Sequence, residues 1–283
     1  MTISKLTQAT EHNGNKVVVI KCGGSVIESL APAFFKSLHE LKKQGWQFVF
    51  VHGGGPDINK LLALYDVAPE FHNGLRKTSA ETMQVVEMVL TGQTNRKLAE
   101  LLGQYDFNPI GLSGSDGNCL KARFINKKEL GFVGEVIEVN KSVINMLLKE
   151  KFTPVITPVG VTADGTKLNI NADYAAAAVA HALQAECCIF VTDVEGIIIG
   201  DSVVSHLTPE DIDAYILEGQ IYGGMIPKVE SALAAVKRGV KNAMIVSGKG
   251  AIYQDAQWKG TTISRKAGYD DELSVSNIYK VGS

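Results

Sequence analysis

One stretch constrains the fold more than any other: Lys16-Val17-Val18-Val19-Ile20-Lys21-Cys22-Gly23-Gly24-Ser25. Val17 to Ile20 form an unbroken β-branched run, which suits a strand buried on both faces of a sheet. Lys21 stands at its carboxyl end, and two glycines follow. A phosphate needs this local chemistry: backbone N–H groups that can be approached closely, and a cation fixed nearby. A tight strand-to-helix turn with a solvated lysine uses the same letters, so the stretch gains meaning from its repetition.

The design recurs. Phe48 to His52 reads as a second buried strand running into Gly53-Gly54-Gly55-Pro56-Asp57. Pro56 fits a helix start, where its missing N–H costs nothing, and Ile58, Leu61, Leu62 and Tyr65 supply an apolar face. Three glycines before a helix N-terminus leave amides uncovered where partial positive charge gathers, which favours an anion or ligand over a flexible turn. Gly223-Gly224-Met225-Ile226-Pro227-Lys228 leads into another helix, with Val229, Leu233 and Val236 at helical spacing. Lys228 then lies in the first turn, where a cation opposes the helix dipole; that local cost points to an anion nearby, against the plain alternative of a solvated lysine.

Between these junctions the pattern alternates strand and helix. Phe34, Phe35, Leu38 and Leu41 predict a helix over 31–44. Residues 66–78 are irregular, with a tight turn at Asn73-Gly74 and Arg76 just beyond it. Arg76 is either a surface charge or a fork that grips a carboxylate. A long helix over 79–104 offers a partner surface or simple core packing. A strand over 109–112, antiparallel strands within 119–139, a helix over 141–150 and a strand over 152–157 follow. Asn169 and Asn171 alternate, and Asp173 opens an alanine-rich helix over 173–183. Helix capping explains one such group, and three within five residues exceed that need. A strand over 187–192 ends in Thr192-Asp193, a helix spans 208–218, and the last strand is 243–246. Met1 to Asn15 reads as a loose polar arm, and the tail from Ser264 as peripheral. This alternation predicts an α/β fold with a parallel or mixed sheet covered on both faces, and a lobe boundary near 165–175.

Composition excludes several classes. The chain has 283 residues, a net charge of −2 and no long apolar run, so neither nucleic acid nor a membrane is expected as partner. No secretory h-region precedes the first strand. Cys22, Cys119, Cys187 and Cys188 show no C-x-x-C spacing and read as reduced packing thiols of a cytoplasmic protein. The pattern G-x-x-x-x-G-K-[ST] is absent, so a phosphoryl-transfer site must build its cradle from separated segments. Lys21 and Lys228 are candidates to neutralise the moving group, with Asp173 holding both ammonium groups. No side-chain pair reads as a nucleophile with its base. A carboxylate acceptor needs none, being ionised above a pKa of about 4.

Taken together, Lys21-Cys22-Gly23-Gly24-Ser25, His52-Gly53-Gly54-Gly55, Asn73-Gly74-Leu75-Arg76, Asn169-Ile170-Asn171-Ala172-Asp173 and Gly224-Met225-Ile226-Pro227-Lys228 resemble the amino acid kinase family, in its N-acetylglutamate kinase branch. The resemblance implies an open αβα sandwich with a mainly parallel central sheet. It implies an amino-acid-binding and dimerisation lobe over 1–170 and an ATP lobe over 171–283. The implied reaction moves the γ-phosphoryl of ATP to the side-chain carboxylate of N-acetyl-L-glutamate, in arginine biosynthesis; an aminoadipate-type carboxylate kinase of lysine biosynthesis shares nearly every motif. By the same resemblance Lys21, Lys228 and Asp173 are catalytic. Gly53, Gly54, Gly55, Arg76, Asn169 and Asn171 bind the acceptor, and Gly23, Gly24, Thr192, Asp193 and Lys228 serve ATP. Mg²⁺ is implied on the nucleotide rather than on a protein metal cluster, and the long helix after Arg76 is implied in a homodimer. Relatives often carry Val-Thr-Asp after the arginine, where this chain has Lys77-Thr78-Ser79. The short arm before Lys16 leads to an expectation of a dimer with weak or no arginine feedback.

Overall fold

The computed structural model describes residues 16–265, so the polar arm and most of the tail lie outside the described residues. Eight strands form the main sheet: β1 (Val17–Cys22), β2 (Gln47–His52), β3 (Pro109–Ser113), β4 (Thr153–Thr157), β5 (Cys187–Thr192), β6 (His206–Leu207), β7 (Asn242–Ser247) and β8 (Thr261–Ser264). Their order is β6-β8-β7-β5-β1-β2-β4-β3. β5, β7, β1, β2, β4 and β3 run parallel, and β8 reverses against β7.

The β-branched run places β1 at the centre because it tolerates burial on both faces. Val17 and Val19 enter one core, and Val18, Ile20 and Cys22 the other. The first core holds helices α4 (Lys141–Lys149), α5 (Ala172–Ala182), α6 (Pro209–Leu217) and α7 (Ile226–Lys237). The second holds α1 (Pro32–Lys43) and the end of a long helix, α3 (residues 80–103). The result is an αβα sandwich. The expected helix over 31–44 is α1, and the expected last strand is β7.

α3 runs without a break through Ala80–Glu87, Met88–Thr94 and Asn95–Gly103, but its middle segment is wound as a π-helix. Sequence periodicity did not reveal this. The antiparallel strands expected within 119–139 are Leu120–Phe124 and Val133–Val139. With Val159–Val161 and Lys167–Ile170 they close a small four-stranded barrel, which was not foreseen.

The chain leaves β1 for β2 on one side, and β5 for β7 on the other. The order therefore reverses between β1 and β5, and crevices outside the carboxyl ends of strands at such a point are where α/β sheets bind ligands. All four strands on the β1 side come from residues before 171, and all four on the β5 side from residues after it. Among the described residues, no helix is long and apolar enough to cross a membrane.

Candidate active site

Both glycine junctions end at one level. Cys22 pairs with His52 in register, and Gly53 N–H donates to the Cys22 carbonyl at 2.9 Å. The two loops then touch. A Cβ on Gly24 would stand 2.7 Å from Gly54 Cα and 2.9 Å from Gly54 N, so only glycine fits there. Gly54 is equally confined, since a Cβ would meet Leu90 Cδ2 at 2.4 Å. Gly54 sits just before helix α2 (Gly55–Ala63), and Gly23 before the single turn Gly24–Ile27. Bare amides of both loops thus gather where two helix starts add positive character.

Strand alternation sends Lys21 to the face covered by α5. Its Nζ meets Asp173 Oδ1 at 2.9 Å, with both side chains about four-fifths buried. Asp173 lies in the first turn of α5, where a carboxylate suits the dipole. Asn171 caps that helix, its Oδ1 accepting from the N–H groups of Asp173 at 2.8 Å and Tyr174 at 3.3 Å. Lys228 lies in the first turn of α7, as expected. Its Nζ donates to Asp193 Oδ1 at 2.7 Å, and this bond holds the Asp193 carboxyl below its ordinary range. The sequence reading gave both lysines to Asp173; the structure gives each its own aspartate. Asp193 directly follows β5, and Cys22 pairs with Val191 in register, so the second ion pair stands at the same sheet edge as Lys21. The Thr192 hydroxyl is turned to backbone: Oγ1 accepts from the Val194 N–H at 3.2 Å, and its one proton is within reach of the carbonyls of Val194 and Val246.

The hairpin at 71–76 forms as the Asn-Gly turn demands, with φ of +47° at Asn73 and +76° at Gly74. It carries Arg76 inward to 8% exposure. Nη2 donates to Asn59 Oδ1 at 2.6 Å and to the Gly55 carbonyl at 3.4 Å, and the guanidinium lies over Phe71 with 4.7 Å to the ring centroid. Nη1 is buried without a hydrogen-bond partner. Burial lowers the guanidinium pKa from its ordinary value. Arg76 shares the wall of a cavity of about 150 Å³ with Gly53, Gly54, Gly55, Asn169 and Asn171. Asn169 donates to Thr78 Oγ1 at 3.1 Å, and Thr78 in turn donates to the Arg76 carbonyl at 2.8 Å.

Behind the loop lies a buried polar cluster that the sequence reading missed. His52 is fully buried, with Nδ1 3.0 Å from the Gly53 carbonyl and Nε2 3.1 Å from Asn95 Nδ2. Burial, with the nearby Arg96 cation, pushes its imidazole down to about 4 although the Gly53 carbonyl acts the other way. Asn95 and Thr94, adjacent polar residues of α3 that are fully buried, were the available signal. Cys22 is inert: burial raises its thiol to about 12. Among the described residues no group of three or more His, Cys, Asp or Glu side chains is placed to hold a metal ion.

The fold defines an α/β protein of the αβα-sandwich class, with two glycine loops meeting at the switch point of its sheet. Residues 16–247 match the amino acid kinase family, and the chain belongs to it. The acetylglutamate kinase of Geobacillus sp. (strain WCH70) is 48% identical over 253 residues, covering 89% of this chain and 98% of the relative. That of Bacillus velezensis is 46% identical over 251 residues, covering 89% and 97%. The crystal structure of smu.665 from Streptococcus mutans UA159 is similar with a TM-score of 0.77 at 34% identity, over 88% of this chain and 99% of that one. Giardia lamblia carbamate kinase bound to AMP-PNP gives 0.60 at 18% identity over 89% and 99%, a likeness of fold alone.

Two predictions follow from packing. Gly24→Ala forces the two loops apart, and the unfolding free energy should fall by about 1–3 kcal/mol in urea titration; unchanged stability would show that the loops part freely. The second concerns pH. The native His52 pKa of about 4 lies below the ordinary 6.5, so below pH 6.5 the unfolded chain takes up a proton that the native state does not. Stability is therefore lost as pH falls from 6.5 toward 4, by up to about 1.4 kcal/mol per pH unit. Between pH 7 and pH 5.5, the wild type should lose about 1 kcal/mol more than His52→Leu; equal losses would contradict a neutral buried imidazole.

Proposed function

We infer that this chain transfers the γ-phosphoryl of ATP to the side-chain carboxylate of N-acetyl-L-glutamate, giving N-acetyl-L-glutamyl 5-phosphate in arginine biosynthesis. The observation that carries the reading is Arg76. A buried guanidinium with one unpartnered nitrogen, in the wall of a small cavity beside the glycine loops, suits a carboxylate ligand. The acetylglutamate kinases that match most of the chain supply the particular acceptor.

In this reading Arg76 and Asn169 hold the α-carboxylate and its neighbours, while Asn171 fixes the start of α5 at the cavity wall. The acceptor's side-chain carboxylate is already ionised and needs only aiming. One of its oxygens attacks the γ-phosphorus as the bond to the bridging oxygen of ADP breaks. Charge develops on oxygens that Lys21 and Lys228 face, and the Gly23–Gly24 and Gly54–Gly55 amides add fixed donors. Asp173 and Asp193 keep the two ammonium groups aimed without reorganisation. Because both of these carboxylates are committed to lysines, the site suits Mg²⁺ carried on the nucleotide, where it would neutralise phosphate charge. We place the acceptor-binding half over 1–170 and the ATP-binding half over 171–283, a reading supported by the clean division of strands between the two halves of the sheet. We also propose a cytoplasmic homodimer built on α3, whose Met88 is exposed.

The direct test is ADP release with a panel of acceptors. N-acetyl-L-glutamate should be preferred over aminoadipate-type substrates, aspartate and glutamate; a preference for any of these would overturn the assignment. Lys228→Ala should lower kcat by about 10²–10³ with the thermal melt unchanged. Arg76→Ala should mainly raise the KM for the acceptor while the KM for ATP stays constant, and an unchanged acceptor KM would remove Arg76 from the site.

A further inference from the structure

The polar cluster behind the glycine loop has no step in the reaction just described, yet it touches the loop's backbone. Its carbonyl partners, which can only accept, fix the donors around them. The Val155 carbonyl can only accept, and it lies 2.8 Å from Asn95 Nδ2, which fixes that atom as the amide nitrogen. Asn95 Oδ1 correspondingly faces the Arg96 guanidinium. Asn95 Nδ2 also stands 3.1 Å from both His52 Nε2 and Thr157 Oγ1, and because the Gly53 carbonyl at Nδ1 can only accept, Nε2 of the neutral ring is the accepting nitrogen. The ring proton therefore sits on Nδ1, which donates to the Gly53 carbonyl at 3.0 Å. Thr157 Oγ1 completes the enclosure, 3.3 Å from Nε2 and 3.4 Å from the Leu90 carbonyl.

Gly53 needs such a partner. It opens a run of three glycines, whose backbone has no side chains to restrain it. Its N–H is held by Cys22 and its carbonyl by His52. The π-helical segment of α3 supplies the rest of the frame. Leu90 and Thr94 confine Gly54, and Asn95, whose N–H reaches back five residues to the Leu90 carbonyl, confines His52. One short stretch of irregular helix thus pins two successive glycines from behind, and such segments recur at functional sites.

We propose that His52 is a positioning residue: as the neutral Nδ1–H tautomer locked by Asn95, it fixes the Gly53–Gly54 peptide and so aims the loop's amides at the transferring phosphoryl group. This rests on the kinase reading given above. The imidazole stays uncharged at neutral pH because burial and Arg96 both disfavour its cation. It exchanges no proton with substrate and acts through the backbone alone.

The test compares His52→Asn, whose amide nitrogen can occupy the place of Nδ1, with His52→Leu, which fills the space without a donor. In the full chain, His52→Leu should lower kcat about tenfold to a hundredfold while the KM for ATP and for the acceptor changes by less than about threefold. His52→Asn should recover kcat to within a few-fold of wild type. A merely structural histidine would instead make both variants lose activity in proportion to their melting temperatures. Equal kcat in a folded His52→Leu would also overturn the proposal. If His52→Leu does not fold, long-range ¹H–¹⁵N spectra of histidine-labelled wild type decide. The proposal requires a protonated Nδ1 and a bare Nε2 on His52 from pH 6 to 8, and the Nε2–H tautomer would overturn it. The spectra need no acceptor, so a failed kinase reading would show separately, as wild type releasing no acceptor-dependent ADP.

Discussion

Two glycine backbones in contact set the geometry of the site. Gly24 and Gly54 approach so closely that a single methyl group on either would collide with its surroundings. That approach brings the loop after β1 against the loop after β2, and both open toward the switch point of the sheet. The strands beneath them cannot shift to relieve the contact, because β1 and β2 are buried on both faces and paired in register to their last residues. A tightly buried central sheet is what allows so flexible a pair of loops to hold one shape.

Electrostatics then divide the work between two separate ion pairs. A cation in the first turn of α7 is locally unfavourable, and Asp193 offsets part of that cost. Lys21 gains the same service from Asp173, which sits where its own helix welcomes negative charge. The two lysines come from different halves of the chain, Lys21 from β1 and Lys228 from α7, and each is restrained by its own aspartate. In the proposed reaction these two ammonium groups, each already held by a carboxylate, would neutralise the phosphoryl group.

Much of this was legible in the residues. The β-branched run, the glycine junctions and the prolines at helix starts follow from local rules, and they placed Lys21, Gly53–Gly55 and Lys228 correctly on their elements. Asn-Gly likewise fixed the turn before Arg76. What local rules cannot show is partnership across the fold. Asp193 follows β5 with no sequence mark tying it to Lys228 thirty-five residues on, so Asp173 was credited with both lysines. The π-helical segment lies against Gly54 and Thr157, and apolar periodicity is blind to it. His52 looked like the last residue of a buried strand, and its role appears only when Asn95 arrives from α3. Asn171 and Thr192, read as ligand contacts, spend hydrogen bonds on their own backbone surroundings.

The central claim is that Lys21 and Lys228 bracket one migrating phosphoryl group at the β1–β5 crevice. A crystal structure with ADP, aluminium fluoride and N-acetyl-L-glutamate tests it most directly. Both ammonium nitrogens should lie within about 3 Å of fluoride or of the flanking oxygens, with the acceptor carboxylate in line. A fluoride group bound with either lysine remote from it, still closed on its aspartate and facing other solvent, would contradict the account.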